Sequence, residues 1–203
     1  MKRLLLALLV IVLLVTAGLL IGRAVLDLHR PAAPVQRLLP QAERELLLYF
    51  GDNQSAFLVE QRLRLPDSGD EMQLLRQLIA ALIAGPSPSA TALVPVLPPA
   101  SRLQDAVLAA DGTLLLDFNR ALIDQHPGGS ASELLTVRAL ANTVSANFPE
   151  IKRVRLLVDG LVITTLKGHL DLRGPVSADF SLVRPEEMQD GSQETAAVNE
   201  ERQ

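Results

Sequence analysis

Few residues in this chain have the types that chemistry needs, and they are scattered. There are three histidines, His29, His126 and His169. His169 stands in Lys167-Gly168-His169-Leu170-Asp171, where an imidazole near a carboxylate suits a general base or one metal ligand. No second histidine or cysteine stands at metal spacing, so His169 is expected to make structural hydrogen bonds at a strand end. His126 is expected to be exposed in a Pro/Gly loop, and His29 lies in a proline-containing tether. Asp117, Asp124 and Asp171 are acid–base types, but their spacing does not set them on one face beside a nucleophile. Asp117 closes a strand and suits turn hydrogen bonding. Gly128-Gly129-Ser130, at a helix start, offers free N–H groups and the positive end of the dipole to an anion. No Gly-Lys-Ser/Thr follows, so the triplet reads as a plain cap. Ser130 lacks a nucleophile-elbow context. Cysteine is absent, which removes disulfides, thiolate metal sites, cysteine nucleophiles and lipid attachment through a cysteine. No catalytic, cofactor-binding or metal-ligating residue is assigned, and the chain is expected not to be an enzyme.

Binding is more legible than catalysis. Lys152, Arg153 and Arg155 form a short basic edge beside a hairpin turn. Charges there protect an edge strand from aggregation or present a docking surface to an acidic partner. The formal net charge of −4 gives no global basic field for nucleic acid. One tyrosine and no tryptophan leave little for a base-stacking or sugar-binding platform.

These residues need elements to hold them. Ser130 with Glu133 spells a capping box. Leu134, Val137, Leu140, Ala141, Val144 and Phe148 then fall on one helical face, and Pro149 ends the helix. The strand that follows alternates Val154, Leu156 and Val158 against Arg153, Arg155 and Leu157. Asp159-Gly160 is a two-residue type I′ signal. It pairs Val158 with Leu161, Leu156 with Ile163 and Val154 with Thr165.

Upstream, residues 45–50 and 56–65 read as strands. Ser68 with Glu71 spells a second capping box, before a stripe of Met72, Leu75, Leu78, Ile79, Leu82 and Ile83. Gly85-Pro86 stops that helix. Residues 94–99 are irregular or an edge strand. Asp111-Gly112 joins strands 103–110 and 113–118, with Val107 opposite Leu116 and Ala109 opposite Leu114. Residues 170–182 add a last strand, interrupted at Gly174-Pro175. The order ββα, ββα, ββ predicts an α+β two-layer sandwich, with one mixed or antiparallel sheet and two helices on one face.

The ends differ from this middle. Residues 4–22 are an uncharged run between Arg3 and Arg23. As a helix it is roughly 28 Å long, close to the hydrocarbon thickness of a bilayer. It is longer than the ~7–15-residue apolar core of a cleaved leader, so it is expected to stay as a transmembrane anchor after a short cytoplasmic segment, 1–3. Lys2 and Arg3 favour the N-terminus inside, against Arg23, Arg30 and Arg37 on the other flank, partly offset by Asp27. Gly18 and Gly22 are spaced to let two anchors approach as a dimer face. Residues 23–44 form an extended tether, and residues 27–42 alone reach up to about 50 Å at polyproline rise. Residues 45–183 are the folded domain. Residues 184–203 are an acidic tail with almost nothing apolar, expected to be disordered.

Residues 45–183 resemble the GerMN domain family. The resemblance rests on LLLYF at 46–50, LVEQRLRL at 58–65, LIAGP at 82–86 and AADGTLLLDF at 109–118. It continues with Glu133-Leu134-Leu135 and Ala141-Asn142-Thr143, VRLLVDG at 154–160 and LKGHLDLRGP at 166–175. Such domains sit in membrane-anchored or lipidated proteins on the outer side of the bacterial inner membrane, and in sporulating bacteria they serve assembly of a secretion-like channel complex. The resemblance implies a non-enzymatic assembly role with envelope protein partners or with itself. It implies no cofactor, and a domain held at the inner membrane by helix 4–22. The alternative is a module that binds a cell-wall polymer. Unlike its relatives, which commonly carry a lipidated cysteine and two domains, this chain has an apolar run and one domain.

Overall fold

The computed structural model describes residue 16 and residues 42–185. The chain divides into two compact units, Met1–Pro40 and Gln41–Gln203, and all the elements below belong to the second. They are β1 (Glu43–Asp52), β2 (Leu58–Pro66), α1 (Glu71–Ala84), β3 (Leu93–Val94), β4 (Leu103–Leu108), β5 (Thr113–Phe118), the single turn α2 (Ala121–Asp124), α3 (Ser130–Asn147), β6 (Arg153–Val158) and β7 (Leu161–Val162). A 3₁₀ turn at Phe180–Leu182 follows. Among the described residues no helix is long and apolar enough to cross a membrane. Apart from residue 16, the run 4–22, the tether as far as Gln41, and the tail from Glu186 lie outside them.

The α+β class holds, but the single sheet does not. The strands form two sheets, β2-β1-β3 and β4-β5-β6-β7. The reason lies along β1. Its inner edge meets β3 only at Gly51 and Asp52, because Pro95 ends β3 after two residues. Gly51 is required there, since a Cβ would sit 2.9 Å from Val94 Cγ2. The rest of that edge is covered by helix α3. Asn147 Oδ1 accepts from Leu47 N–H at 2.9 Å and its Nδ2 donates to Leu47 C=O at 2.7 Å. Thr143 Oγ1 accepts from Tyr49 N–H at 3.2 Å. Side chains thus do for β1 what another strand would have done. Each of the two long helices packs against both sheets.

The second sheet is mixed. β5 and β6 run parallel, with α3 as the crossover between them. β4–β5 is a hairpin shifted by one from the expected register. Ala106 faces Leu116 and Val107 faces Leu115, because the loop has three residues, 110–112, rather than two, closed by Ala109 N–H on Thr113 C=O at 2.9 Å. Gly112 N–H donates to Ala109 C=O at 3.0 Å, with Gly112 at φ 78. A one-residue slip exchanges the faces, so Ala106 is buried while Val107 is 51% exposed. The β6–β7 turn is as expected, with Asp159 at φ 51, Gly160 at φ 77 and Val158 opposite Leu161. Beyond Ile163 the chain leaves the sheet. Val154 pairs with Val176 instead of Thr165, and the expected last strand is an irregular strap touching β6 at Val176 and β2 at Val183.

Both capping boxes are replaced. Helix α1 is capped by Asp70, whose carboxylate accepts from Gln73 N–H at 3.0 Å, and Glu71 turns to Arg44 at 2.8 Å. Helix α3 starts after Gly129 with no side-chain cap. Its Glu133 has gone inward.

Candidate functional site

The densest polar constellation forms where the strap meets the first turns of α3. Glu133 follows the apolar register of Val137, Leu140 and Val144, so the helix carries it into the interior, where its side chain is wholly buried. A buried carboxylate needs donors, and residues 165–170 supply them. Thr165 Oγ1 donates at 3.0 Å, His169 N–H at 3.3 Å, Leu170 N–H at 3.3 Å and His169 Nδ1 at 2.7 Å. Burial alone would raise the Glu133 carboxyl. The bonds from His169, the Lys167 N–H, Thr165 and the Leu170 N–H outweigh it and bring the group from 4.5 down to about 2. Because Glu133 is ionised, His169 Nδ1 carries the proton. The ring is half-exposed, beside a shallow depression lined by Thr164, Gly168, Asp171 and Arg173. The Thr165 Oγ1 hydroxyl is committed to Glu133 and to Gly168 N–H at 2.7 Å. Asp171 is held by Arg173 at 2.6 Å. The arrangement therefore works as a clasp that pins the strap to α3.

The same helix clasps two other places. Asn142 accepts from Asp179 N–H at 2.8 Å and donates to Asp179 C=O at 2.9 Å. Thr136 donates to Val96 C=O at 2.6 Å and meets His126 Nε2 at 3.0 Å. His126, expected at the surface, is only 4% exposed. Its Nδ1 accepts from Gly128 N–H at 3.0 Å, and burial lowers its pKa. Above this contact runs a neutral groove of about 610 Å³, lined by Gly51, Val94, Pro95, Leu97, Pro127 and Leu135 among others. At the far end of the strap, buried Asp52 accepts from Arg184 and Ser55. Arg184, assigned above to the tail, is thus part of the fold.

The sequence-expected site residues fall as follows. Arg153 and Arg155 are not on a free edge, because β6 pairs with β5 on one side and its other side is met at Val154 by Val176 and at Leu157 and Val158 by β7, while Lys152 lies just before the strand. Arg153 pairs with Asp111 at 3.0 Å, while Arg155 Nε is enclosed without a partner. Asp117 accepts from the turn N–H of Gly160 at 2.9 Å, the turn role expected of it. Asp124 pairs with Arg120 at 3.4 Å, so Asp117, Asp124 and Asp171 each have separate partners. Gly18 and Gly22 lie outside the described residues. The sequence reading missed Glu133 as an interior acceptor, and the signal was available as a carboxylate in line with an apolar stripe.

Among the described residues, β2 is an outer strand of the first sheet with no strand paired beyond it. The Leu58 C=O accepts from Arg184 N–H at 2.8 Å on the side away from β1. By alternation, the N–H and C=O groups of Glu60, Arg62 and Arg64 also point outward. The Arg62 and Arg64 side chains are 66% and 72% exposed.

These features define a small α+β domain, whose interior polar groups hold its segments together and whose outer strand is open. The Germane family model, described as sporulation and spore germination, matches residues 47–164, more than half of the chain, and the chain belongs to that family. A search of curated proteins gives no match. Among solved structures, a candidate lipoprotein from Clostridium perfringens is 25% identical, with 67% of this chain and 88% of that one covered and a TM-score of 0.49. The first GerMN domain of the sporulation protein GerM from Bacillus subtilis is 20% identical, covering 70% and 98%, with a TM-score of 0.49. The tandem GerMN domains of the same protein are 21% identical, covering 70% and 47%, with a TM-score of 0.49.

Proposed function

We propose that this chain is a non-enzymatic assembly domain, anchored in the bacterial inner membrane by residues 4–22 and presented on its outer face to envelope protein partners. The observation that supports this reading best is the outer edge of β2. Glu60, Arg62 and Arg64 present backbone donors and acceptors to an incoming strand, the template for strand addition. Their charged side chains discourage indiscriminate pairing and favour a partner of matching charge. Family membership supports an envelope process of the sporulation or germination kind. Gly18 and Gly22 give a route to self-association within the membrane.

The test is crosslinked recovery of partners from intact membranes. Arg62→Pro removes one outward N–H without touching the bonds to β1, and is expected to reduce recovery strongly in a protein that still melts cooperatively. Recovery equal to wild type would end this reading of the edge. Topology is tested separately. Mass spectrometry of the membrane-extracted chain should find an uncleaved N-terminus, and protease added to spheroplasts should digest the domain.

A second reading, recognition of a cell-wall polymer, is favoured by the neutral groove beside Val94 to Pro99. Retention of the protein on purified cell wall, abolished by Leu135→Glu, would support it over the edge.

A further inference from the structure

We propose that the outer face of the second sheet is a contact surface between two copies of this chain, related by a two-fold axis. Leu114, Leu116, Val154 and Leu156 face the core. By alternation, Leu115 and Asp117 of β5 and Arg155 and Leu157 of β6 face away from it, and all four are half-buried. Val107 of β4 stands beside Leu115, and Val162 of β7 stands beside Leu157. An apolar stripe of Val107, Leu115, Leu157 and Val162 therefore crosses all four strands, and its two ends are 51% and 46% exposed.

A sheet face left to water carries polar residues in alternation with the buried ones, whereas parallel strands are found with both faces covered. β5 and β6 are the parallel pair of this sheet. Leu115 and Leu157 are the positions on them where the polar alternation fails, and neither packs against the core. Their cover comes from outside the fold.

The charges identify that cover as a second copy. On this face Arg153 is paired with Asp111 at 3.0 Å and Asp105 with Arg76 at 2.7 Å. Among the described residues Arg155 has no ion pair or side-chain hydrogen bond. Asp117 likewise has no cationic partner there, and its carboxylate accepts from Gly160 N–H. These two uncompensated charges are opposite in sign and flank the stripe on its two sides. The parallel register sets Leu115 opposite Arg155 and Asp117 opposite Leu157. The four Cα positions thus form a rectangle of about 5 by 7 Å, with leucines on one diagonal and charges on the other. A two-fold axis in the contact plane, along the leucine diagonal, sets each leucine on its own counterpart. The same rotation sets Arg155 on Asp117 of the second copy, twice in each dimer, where a guanidinium and a carboxylate can pair. The face spans roughly 20 by 20 Å, at the transient end of specific interfaces. The dimer therefore forms at the crowding of a membrane surface rather than in dilute solution.

The chain has no cysteine, so a single introduced one reports its own contacts. The full chain is reconstituted in liposomes at high surface density and oxidised with copper phenanthroline. Leu115→Cys should give disulfide-linked dimer in many-fold the yield of Ala80→Cys, an exposed position on α1. In the Leu115→Cys background, Arg155→Asp and Asp117→Arg should each cut the yield about tenfold, because like charges then face each other twice. An equal mixture of the two, told apart by a size tag, should regain the yield as mixed dimer, since both pairs are again opposite in sign. Asp117→Arg also releases the Gly160 turn, so melting is recorded for every variant. Where Asp117→Arg melts early, Arg155→Asp decides alone, because Arg155 has no bond to lose. Equal crosslinking at Ala80→Cys and Leu115→Cys would overturn the proposal. So would a yield unchanged by Arg155→Asp, or a mixture of folded variants no better than either alone. No self-crosslinking at Leu115→Cys would also overturn it, and would leave the face to a different protein.

Discussion

Helix α1 buries Leu74, Leu75, Leu78, Ile79 and Leu82 and exposes its other side. Helix α3 buries six residues in a row, Ala139 to Val144, and adds Glu133, Thr136 and Asn147. Both helices pack on β1. The first is attached by apolar area, roughly 25 cal/mol per Å² without direction. The second is attached by directed bonds: Glu133 to residues 165–170, Thr136 to Val96, Asn142 to Asp179, and Thr143 and Asn147 to β1. Apolar burial tolerates small shifts of a helix along its groove, whereas paired amide and carboxylate contacts do not. The comparison teaches where position is decided in this domain. α1 contributes stability, and α3 sets which segment lies where.

The sharpest way to break the comparison is Glu133. Glu133→Ala leaves the donors of Thr165, His169 and Leu170 without their common acceptor, and should cost about 3–5 kcal/mol. Its signature is local, with hydrogen exchange rising over 164–172 before the global transition. Acid should imitate it. Glu133 is held at about 2 when folded and ionises near 4.3 when unfolded. Its contribution is therefore complete above about 4.3 and is lost as pH falls from there through about 2. His126 is depressed when folded, so acidification below about 6.5 also destabilises, because the unfolded chain takes the proton first. Glu133→Gln should flatten the lower limb of melting temperature against pH and leave the upper one. A lower limb unchanged in Glu133→Gln would show that other carboxylates govern it.

Leu78→Ala and Leu140→Ala, both at fully buried positions, should each cost about 2–5 kcal/mol in denaturant melts of residues 42–203. Here the helices should behave alike, because truncation reports area and cavity. A loss below about half a kcal/mol at either position would mean that its face does not pack as described. Asn147→Ala is smaller, about 1–3 kcal/mol, from the Leu47 N–H and C=O it leaves unpaired. Exchange of the Leu47 and Tyr49 amides should accelerate while those bonded to β2 stay protected. Uniform acceleration along β1 would show that the clasp has no local role.

What was legible follows the same division. The stripe of α1, the Gly85 stop and the Asp159-Gly160 turn are local, and each came out as read. Only Leu74, fully buried, was missed on α1. The register of β4–β5 was not legible, because Asp111-Gly112 ends a three-residue loop as comfortably as it fills a two-residue one. Asp111 settles the matter by accepting from Thr113 N–H at 3.0 Å, a contact that no hydrophobic pattern records. The split into two sheets depends on Asn147 reaching a strand 100 positions away. The site was half legible. His169 was singled out and given a structural role, but its partner Glu133 was assigned to a capping box on S-x-x-E spacing alone.

That spacing gives the finest test, because it occurs at both helix starts and caps neither as read. At α1 the cap is Asp70, with its carboxylate on Gln73 N–H at 3.0 Å. Asp70→Ala should cost about 1 kcal/mol, the usual loss for such a cap. At α3 the residue in the capping-box position is Ser130, which is exposed and makes no cap bond. The start of α3 is fixed instead by Glu133 N–H on Gly129 C=O at 2.9 Å and by the Glu133 carboxylate turned inward. Ser130→Ala should therefore change stability by less than about 0.5 kcal/mol, and alanine's higher helix propensity can make the change favourable. Equal losses from the two substitutions would restore the Ser130 cap. They would also require Glu133 to spend part of its time turned back toward the helix start, away from Thr165 and His169. The clasp would then be a two-position device, and the difference between the helices would be one of degree.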